Sequence, residues 1–452
     1  MYPDSSRDPR LDNPGSPSPA YLQAASRIVR DRMAEVTADA RAASAEPGYP
    51  GQAELWAVAD QQADVLTGEL ADLLLDLHAH PETAFQEYRS QEQLASFLER
   101  HGFRVQRGVH GVETSLRAEW AAESYTAGVD PTIAVLAEYD ALPTIGHACG
   151  HNIIAAAGIG AFLTAVKTLS TRPDLPARLV LLGTPAEEGH SGKEYMIRGG
   201  MLEGIDAAVM VHPFSFDIAS HVWNGRRTLT ATFEGVAAHA SSQPFMGRNA
   251  LDAATLAYQG LGLLRQQMPP SDRLHAVISE GGKRPGIIPK TAQLQIYARS
   301  LLVDSLVDLS SRVDDILDGA ALMAGVTVTR EWDPHPMSLP IRNNQVLAQR
   351  WALTQQARRR VALPEGVVPD TLAASTDFGN VSFLVPGIHP MVKIAPEGVA
   401  LHTEEFARWS ASPKATEAAV DSSAGLAQVM VDLVADPELL DAAQAEFQQA
   451  GG

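Results

Sequence analysis

Short apolar runs of strand length alternate with helical segments through residues 85–225, give way to a different pattern, and resume after residue 340. Residues 132–137, 179–184 and 207–211 are mostly apolar, and the stretch 153–170 between the first two is Ala-rich and apolar nearly all round. A strand apolar on both faces needs cover on both faces, so this alternation predicts a mostly parallel sheet sandwiched between helices. The intervening residues 226–336 read differently: alternating strands at 227–233, 293–300 and 326–332, with helices at 249–267 and 305–324. That order suits a small α+β, ferredoxin-like unit inserted into the larger α/β domain. A helix at 344–360, a strand at 391–394 and helices at 404–409 and 415–433 then complete the first domain. The expected layout is a partly disordered N-terminal tail over 1–50, a catalytic domain split into 51–225 and 337–440, and a lid or dimerisation domain over 226–336. Within the first 80 residues, helices are expected at 21–43 and 54–77.

The 452-residue chain carries a formal net charge of −19, with a pI near 5.1. Such a field repels nucleic acid and anionic membranes, so neither is expected as a partner. One cysteine rules out an intramolecular disulfide and fits a reducing compartment. No apolar segment follows a basic start as a secretory signal requires, and the runs 153–166 and 179–182 are shorter than a membrane span. A cytoplasmic protein is expected.

Four polar clusters follow the apolar runs: Glu138-Tyr139-Asp140 with Ala141-Leu142-Pro143, Gly146-His147-Ala148-Cys149-Gly150-His151-Asn152, Pro185-Ala186-Glu187-Glu188-Gly189, and His212-Pro213. Ligands of open α/β sheets bind beyond the carboxyl ends of the strands, which is where these clusters would meet. Thiolate, imidazole and carboxylate are the usual donors to zinc or a similar divalent ion, and crowding them together without a cation is costly. The Glu187-Glu188 pair permits a division of labour in which one acid holds the ion and the other takes a proton from water activated by it. Cys149, at the start of a helix and beside a cation, should ionise readily.

Competing motifs fail. Gly158-Ile159-Gly160 has Leu163 where a dinucleotide loop needs its third glycine, and Gly189-His190-Ser191-Gly192 has Lys193 where a serine-hydrolase elbow needs its second. His101, His110, His221, His275 and His335 read as surface or loop residues, and His389, near the site in sequence terms, reads at least as well as a loop histidine among prolines. Two other functions stay open on these residues: a cysteine hydrolase using Cys149, and a non-catalytic binding protein. His151, two positions along, is badly placed to be the base of the former, and a mere binder has no use for Glu187.

His78-Ala79-His80-Pro81-Glu82 with Glu87, the three clusters around Asp140, Cys149 and Glu187, and later Ser375-Thr376-Asp377-Phe378-Gly379-Asn380 and His402-Thr403-Glu404 resemble the aminoacylase/carboxypeptidase metallopeptidases. They resemble most the amidohydrolase branch with aminobenzoyl-glutamate hydrolase and β-alanyl-lysine dipeptidase-like proteins. The resemblance spans about residues 70–435. It implies hydrolysis of an amide bond in a small dipeptide-like or N-acyl amino acid substrate bearing a carboxylate. It also implies two divalent ions, zinc first and manganese or cobalt next, held by Cys149, His151, Glu188, His212 and His402. Glu187 is implied as general base, Asp140 as the residue orienting a ligand, and His239 as a lid histidine stabilising the oxyanion, often across a dimer. Asn249 and Arg299 occupy positions expected near the substrate carboxylate, and a homodimer through the lid is implied. Relatives with a histidine two positions before the Asp use it as a ligand; here that position is Glu138, which is left outside the ligand set.

Overall fold

The computed structural model describes residues 18–42, 48–370 and 373–451. Residues 1–17 and 43–47 of the expected N-terminal tail lie outside them, and a helix occupies much of the rest. Four helices come first: α1 (Ala20–Ala42), α2 (Gln52–Val65), α3 (Thr67–Ala79) and α4 (Tyr88–Arg100). The continuous helix expected over 54–77 is two helices. Thr67 Oγ1 donates to the Asp64 carbonyl, and Leu66 N–H turns back to Ala63, which closes α2 before α3 begins.

The strand and helix alternation follows, with β1 (Val105–Arg107), β2 (Leu116–Ala121), β3 (Thr132–Ala137), α5 (His151–Leu169), β4 (Arg178–Gly183), α6 (Gly192–Arg198), β5 (Ala207–Val209) and β6 (His212–Phe214). A second unit contains β7 (Gly225–Glu234), α7 (Ala250–Leu264), β8 (Arg273–Glu280), β9 (Thr291–Ser300), α8 (Val303–Ala324) and β10 (Thr327–Trp332). The chain then returns through α9 (Gln345–Ala357), α10 (Phe378–Ser382), β11 (Gly387–Ile388), β12 (Met391–Lys393), α11 (Glu404–Trp409), α12 (Pro413–Ala435) and α13 (Pro437–Gln449).

The main sheet runs β1-β2-β4-β3-β5-β11, parallel from β4 to β11 and antiparallel at β1 and β2. Every residue of β3 is buried, and its side chains divide by the two-residue period of a strand. Ile133, Val135 and Ala137 pack into the layer containing α5 and α12, while Ala134 and Leu136 pack against Met196, Met201 and Phe378 on the opposite face. The fold class is therefore the doubly covered, mostly parallel α/β arrangement that the alternation predicts.

By length and composition alone, α5 and α12 could each cross a bilayer, so shortness does not exclude them as spans. Their apolar surface is covered by protein instead, since they pack on each other. Gly160 makes this contact possible, because a Cβ there would run into Ser423 Oγ. The glycine of the failed dinucleotide motif thus serves helix packing.

The second unit is an antiparallel sheet in the order β10-β7-β9-β8, with α7 and α8 on one face and a core of its own. Strand β8 is not visible in the sequence pattern. It is an edge strand whose Val277 and Ile278 are exposed, and a register shift between Ile278 and Glu280 breaks the alternation.

Candidate active site

The central pair is set by a glycine. Gly150, between Cys149 and His151, caps α5 with φ +79°, and a Cβ on it would lie 2.5 Å from Pro213 Cγ. The absence of a side chain lets the Cys149–His151 turn close onto His212-Pro213 at the start of β6. Cys149 Sγ then lies 3.4 Å from His212 Nε2. His212 Nδ1–H donates to its neighbour's carbonyl, Pro213 O, at 2.8 Å, leaving the Nε2 lone pair toward the thiol.

Asp140, just beyond β3, organises the other side. Its Oδ1 accepts from His151 Nδ1 at 2.9 Å, and its Oδ2 accepts from Glu188 N at 2.8 Å. His151 Nε2 therefore points into the cluster, where it lies 3.9 Å from both Glu187 Oε2 and Glu188 Oε1. His402, with φ 60°, closes the ring: its N–H donates to Ala148 O, and its Nε2 is 3.5 Å from Glu188 Oε1. All five expected ligands thus converge, with Glu187 beside them.

The motif residues upstream brace this arrangement. Buried Glu87 accepts from Ala186 N at 2.9 Å and from Thr114 Oγ1 at 2.7 Å, fixing the turn that presents Glu187 and Glu188. Glu82 accepts from the Arg89 and Ser90 N–H groups at the start of α4. His78 donates to Ala407 O, tying α3 to α11 beside His402.

Electrostatically the site is strained toward neutral acids. Burial, then Asp140, pushes the Glu87 carboxyl up to about 7. Burial is also the main cause of the rise of Glu188 to about 7 and of Glu187 well above the usual carboxylate range, the latter helped by Glu138 and Glu188. It pushes the Cys149 thiol well up, against the ready ionisation expected from a helix start, and His212 down to about 3. For His151, burial opposes the charge, yet Asp140, Cys149 and Glu138 together hold it well above its ordinary value.

These donors fit divalent cations. His151 Nε2 and Glu188 Oε1 are buried with no hydrogen-bond partner. Three trios have ligand atoms within 4.8 Å of one another: Cys149, His151 and His212; Cys149, Glu188 and His402; His151, Glu187 and Glu188. Cys149, His151 and Glu188 each belong to two trios, so the set offers donors to more than one ion. A cation among them would reverse the pressure toward neutral acids and favour thiolate and carboxylate.

Several residues outside the expected ligand set are here too. Lys193, fully buried, pairs with Glu138 and also with Asp377 Oδ1 at 2.6 Å. Glu138 Oε2 lies 3.4 Å from His151 Nε2, so it touches the cluster although the family resemblance leaves it outside the ligand set. His389 lies in the short loop between β11 and β12, as expected, but it is buried there, packed between Trp223 and His212 with ring centroids 4.8 Å and 5.5 Å away. His221 is likewise buried rather than at the surface.

The cluster floors a cleft of ≈ 260 Å³. Its walls include Arg299, as expected, and Arg226, which the sequence does not single out. Arg299 donates to Ser375 Oγ at 2.8 Å, and Arg226 Nε is buried without a partner. Neither guanidinium has a carboxylate within 4 Å among the described residues. His239 and Asn249 do not line this cleft. His239 is exposed, with Nδ1 accepting from Ser241 and Ser242 N–H, and Asn249 is the N-cap of α7, accepting from Leu251 N at 3.0 Å.

Residues 134–451 match the description of Peptidase family M20/M25/M40. The chain belongs to this family. As a member it is a hydrolase of peptide or amide bonds. It is 36% identical over 416 residues to the Xaa-Arg dipeptidase of Mus musculus, covering 89% of this chain and 95% of the relative. It is 29% identical over 455 residues to one of the p-aminobenzoyl-glutamate hydrolase subunits of Escherichia coli, covering 84% and 92%. Both relatives fall in the branch its motifs resemble. The fold is shared with an aminobenzoyl-glutamate utilization protein of Klebsiella pneumoniae, at TM-score 0.61 and 20% identity over 82% of this chain and 97% of that one. It is also shared with a dinuclear metal-binding peptidase of the same family from Bacillus subtilis, at TM-score 0.59 and 18% identity over 82% and 99%.

Proposed function

We propose that the chain hydrolyses the amide bond of a small dipeptide-like or N-acyl amino acid substrate bearing a carboxylate. The observation that carries this reading is Glu187. It lines the cleft 3.9 Å from His151 Nε2, and no protein donor among the described residues holds its carboxylate. Cys149, His151, Glu188, His212 and His402 would hold two divalent ions, zinc first and manganese or cobalt next. The Bacillus subtilis protein named as dinuclear supports the number. Such ions, when bound, polarise a carbonyl and lower the pKa of water from about 15.7 to about 7.

Glu187 takes the proton from the attacking water and delivers it to the leaving amine. With no protein donor among the described residues holding its carboxylate, Glu187 is free to accept that proton and pass it to the amine as the C–N bond breaks. Asp140 keeps His151 in the tautomer that presents Nε2. Arg226 and Arg299 bind the substrate carboxylate, the partner that both guanidinium groups lack. The relatives named Xaa-Arg dipeptidase and p-aminobenzoyl-glutamate hydrolase support an amide joined to an amino acid.

The thiol-nucleophile alternative draws no such support. Burial holds Cys149 neutral, and His212, driven down to about 3, is a poor base for it. We also propose a homodimer through the lid, in which a second copy brings His239 to this cleft. The exposed β8 edge and the exposed His239 imidazole support it.

Glu187→Gln tests the proton-transfer role. The variant is expected to keep its metal content by elemental analysis while kcat falls by roughly 10²–10⁴-fold. Chelation should abolish wild-type turnover and metal add-back should restore it. Undiminished turnover in Glu187→Gln, or after rigorous chelation, would overturn the reading.

A further inference from the structure

A second cavity, of ≈ 310 Å³, lies against the metal-binding cleft, and the two share Trp223, Ala374 and Leu401 as walls. Its character is opposite. The first cleft carries Glu187, Glu188, Arg226 and Arg299, whereas no charged side chain lines the second. Phe214, Phe216 and Met391 supply much of its surface, and Ser215 Oγ is already committed to Val399 O at 2.6 Å.

Its outer wall comes from α1, through Ala25, Ser26 and Val29. That helix is seated firmly enough to act as a wall. Val29 is buried, and Met33 and Val36 follow at helical spacing, packing with the cluster that includes Phe216, Ile218 and Met391. Trp223 borders both chambers, and its ring lies 5.5 Å from that of His212, one of the residues of the donor cluster.

We infer that this cavity is a substrate subsite for an uncharged, apolar arm, an aromatic ring or a branched aliphatic chain, and that α1 sets its size. A chamber of this size and lining holds poorly satisfied water, which an apolar group displaces favourably. The common walls point to the occupant: a group covalently attached to the amide in the neighbouring cleft, which Trp223, Ala374 and Leu401 border on both sides. The inference rests on the amide-hydrolase reading above and adds to it a substrate class, amides with one carboxylate and one bulky apolar group.

The test uses the full-length, metal-loaded protein with N-acetylglycine, N-benzoylglycine and N-acetylphenylalanine. The last two place the apolar arm on the acyl half and the carboxylate-bearing half respectively. At least one of them should exceed N-acetylglycine in kcat/KM by about tenfold or more, and the one that does identifies the half that enters. Ala25→Trp, which fills the chamber from α1, should erase that advantage while changing N-acetylglycine by no more than about twofold. Ala25→Asp, a smaller change, should weaken the apolar preference and raise relative activity on N-acetyllysine.

No apolar advantage in the wild type, or an equal loss on all substrates in both variants, would overturn the inference. Should none of the amides be turned over, the hydrolytic reading fails separately, and calorimetric binding of the same compounds decides the subsite. The apolar compounds must then bind the wild type about tenfold more tightly than N-acetylglycine, and Ala25→Trp must remove the difference. Equal affinities would overturn it.

Discussion

His221 shows how a single side chain couples burial to acidity. It is 3% exposed, its Nε2 has no hydrogen-bond partner, and burial drives its pKa below the ordinary value against the pull of Asp370 and Glu365. A depressed folded pKa means that its contribution to stability is complete above the unfolded value of about 6.5 and is lost as pH falls toward the folded value. Between about pH 7.5 and about pH 5.5, the denaturant midpoint of the wild type is therefore expected to fall more steeply than that of His221→Gln. Parallel curves would show that His221 is not the titrating group. Nothing adjacent in sequence betrays this burial, because it is produced by chain returning from residues 343–370. The same holds for Lys193, whose partners Glu138 and Asp377 lie far from it in sequence, and for Arg226. Cys149, His151, Glu187 and Glu188 are legible because their spacing is local, two residues apart or adjacent, each set following an apolar strand.

At the scale of elements, periodicity locates most of what is regular and misjudges the ends. Strand β3 and helix α5 are apolar on all sides and so are recognisable wherever they fall. Edge strand β8 alternates weakly because residues 277–280 are exposed on both of its faces and its register shifts, and the α2–α3 break depends on a local hydroxyl cap that periodicity cannot register. Asn249 belongs here as well. The family resemblance puts it at the substrate, but its side chain accepts from Leu251 N and donates to Asp252 Oδ1, which makes it the cap of α7. Asn249→Ala should thus cost about 1 kcal/mol of stability, with a range of roughly 0.5–2 kcal/mol, and leave KM unchanged. A raised KM at unaltered thermal stability would return Asn249 to the substrate site.

The whole molecule is a discontinuous α/β domain whose candidate metal-site residues come from both sides of an inserted α+β unit. His239 lies on that unit and away from its own cleft, which leads to a complementation experiment. In the proposed homodimer, coexpressed Glu187→Gln and His239→Ala chains, each expected to be inactive alone, would pair so that one of the two sites of a mixed dimer has an intact Glu187 and receives an intact His239 from the other chain. Random pairing should restore about a quarter of wild-type activity. Recovery no greater than the sum of the separate variants would place His239 in cis or outside the reaction.

The contact between α5 and α12 also has a consequence for how such a chain is made. Helix α5 is complete early in synthesis, yet α12, which covers one of its sides, emerges only after the entire lid has been translated. At ribosomal speeds of about 5–20 residues per second, that interval is on the order of tens of seconds. During it, a helix apolar enough to pass for a membrane span waits with part of its surface bare, and His151 at its tip waits for His402. Holdase chaperones that recognise exposed apolar helices have their opportunity in that interval, and the donor cluster is complete only once His402 has been synthesised.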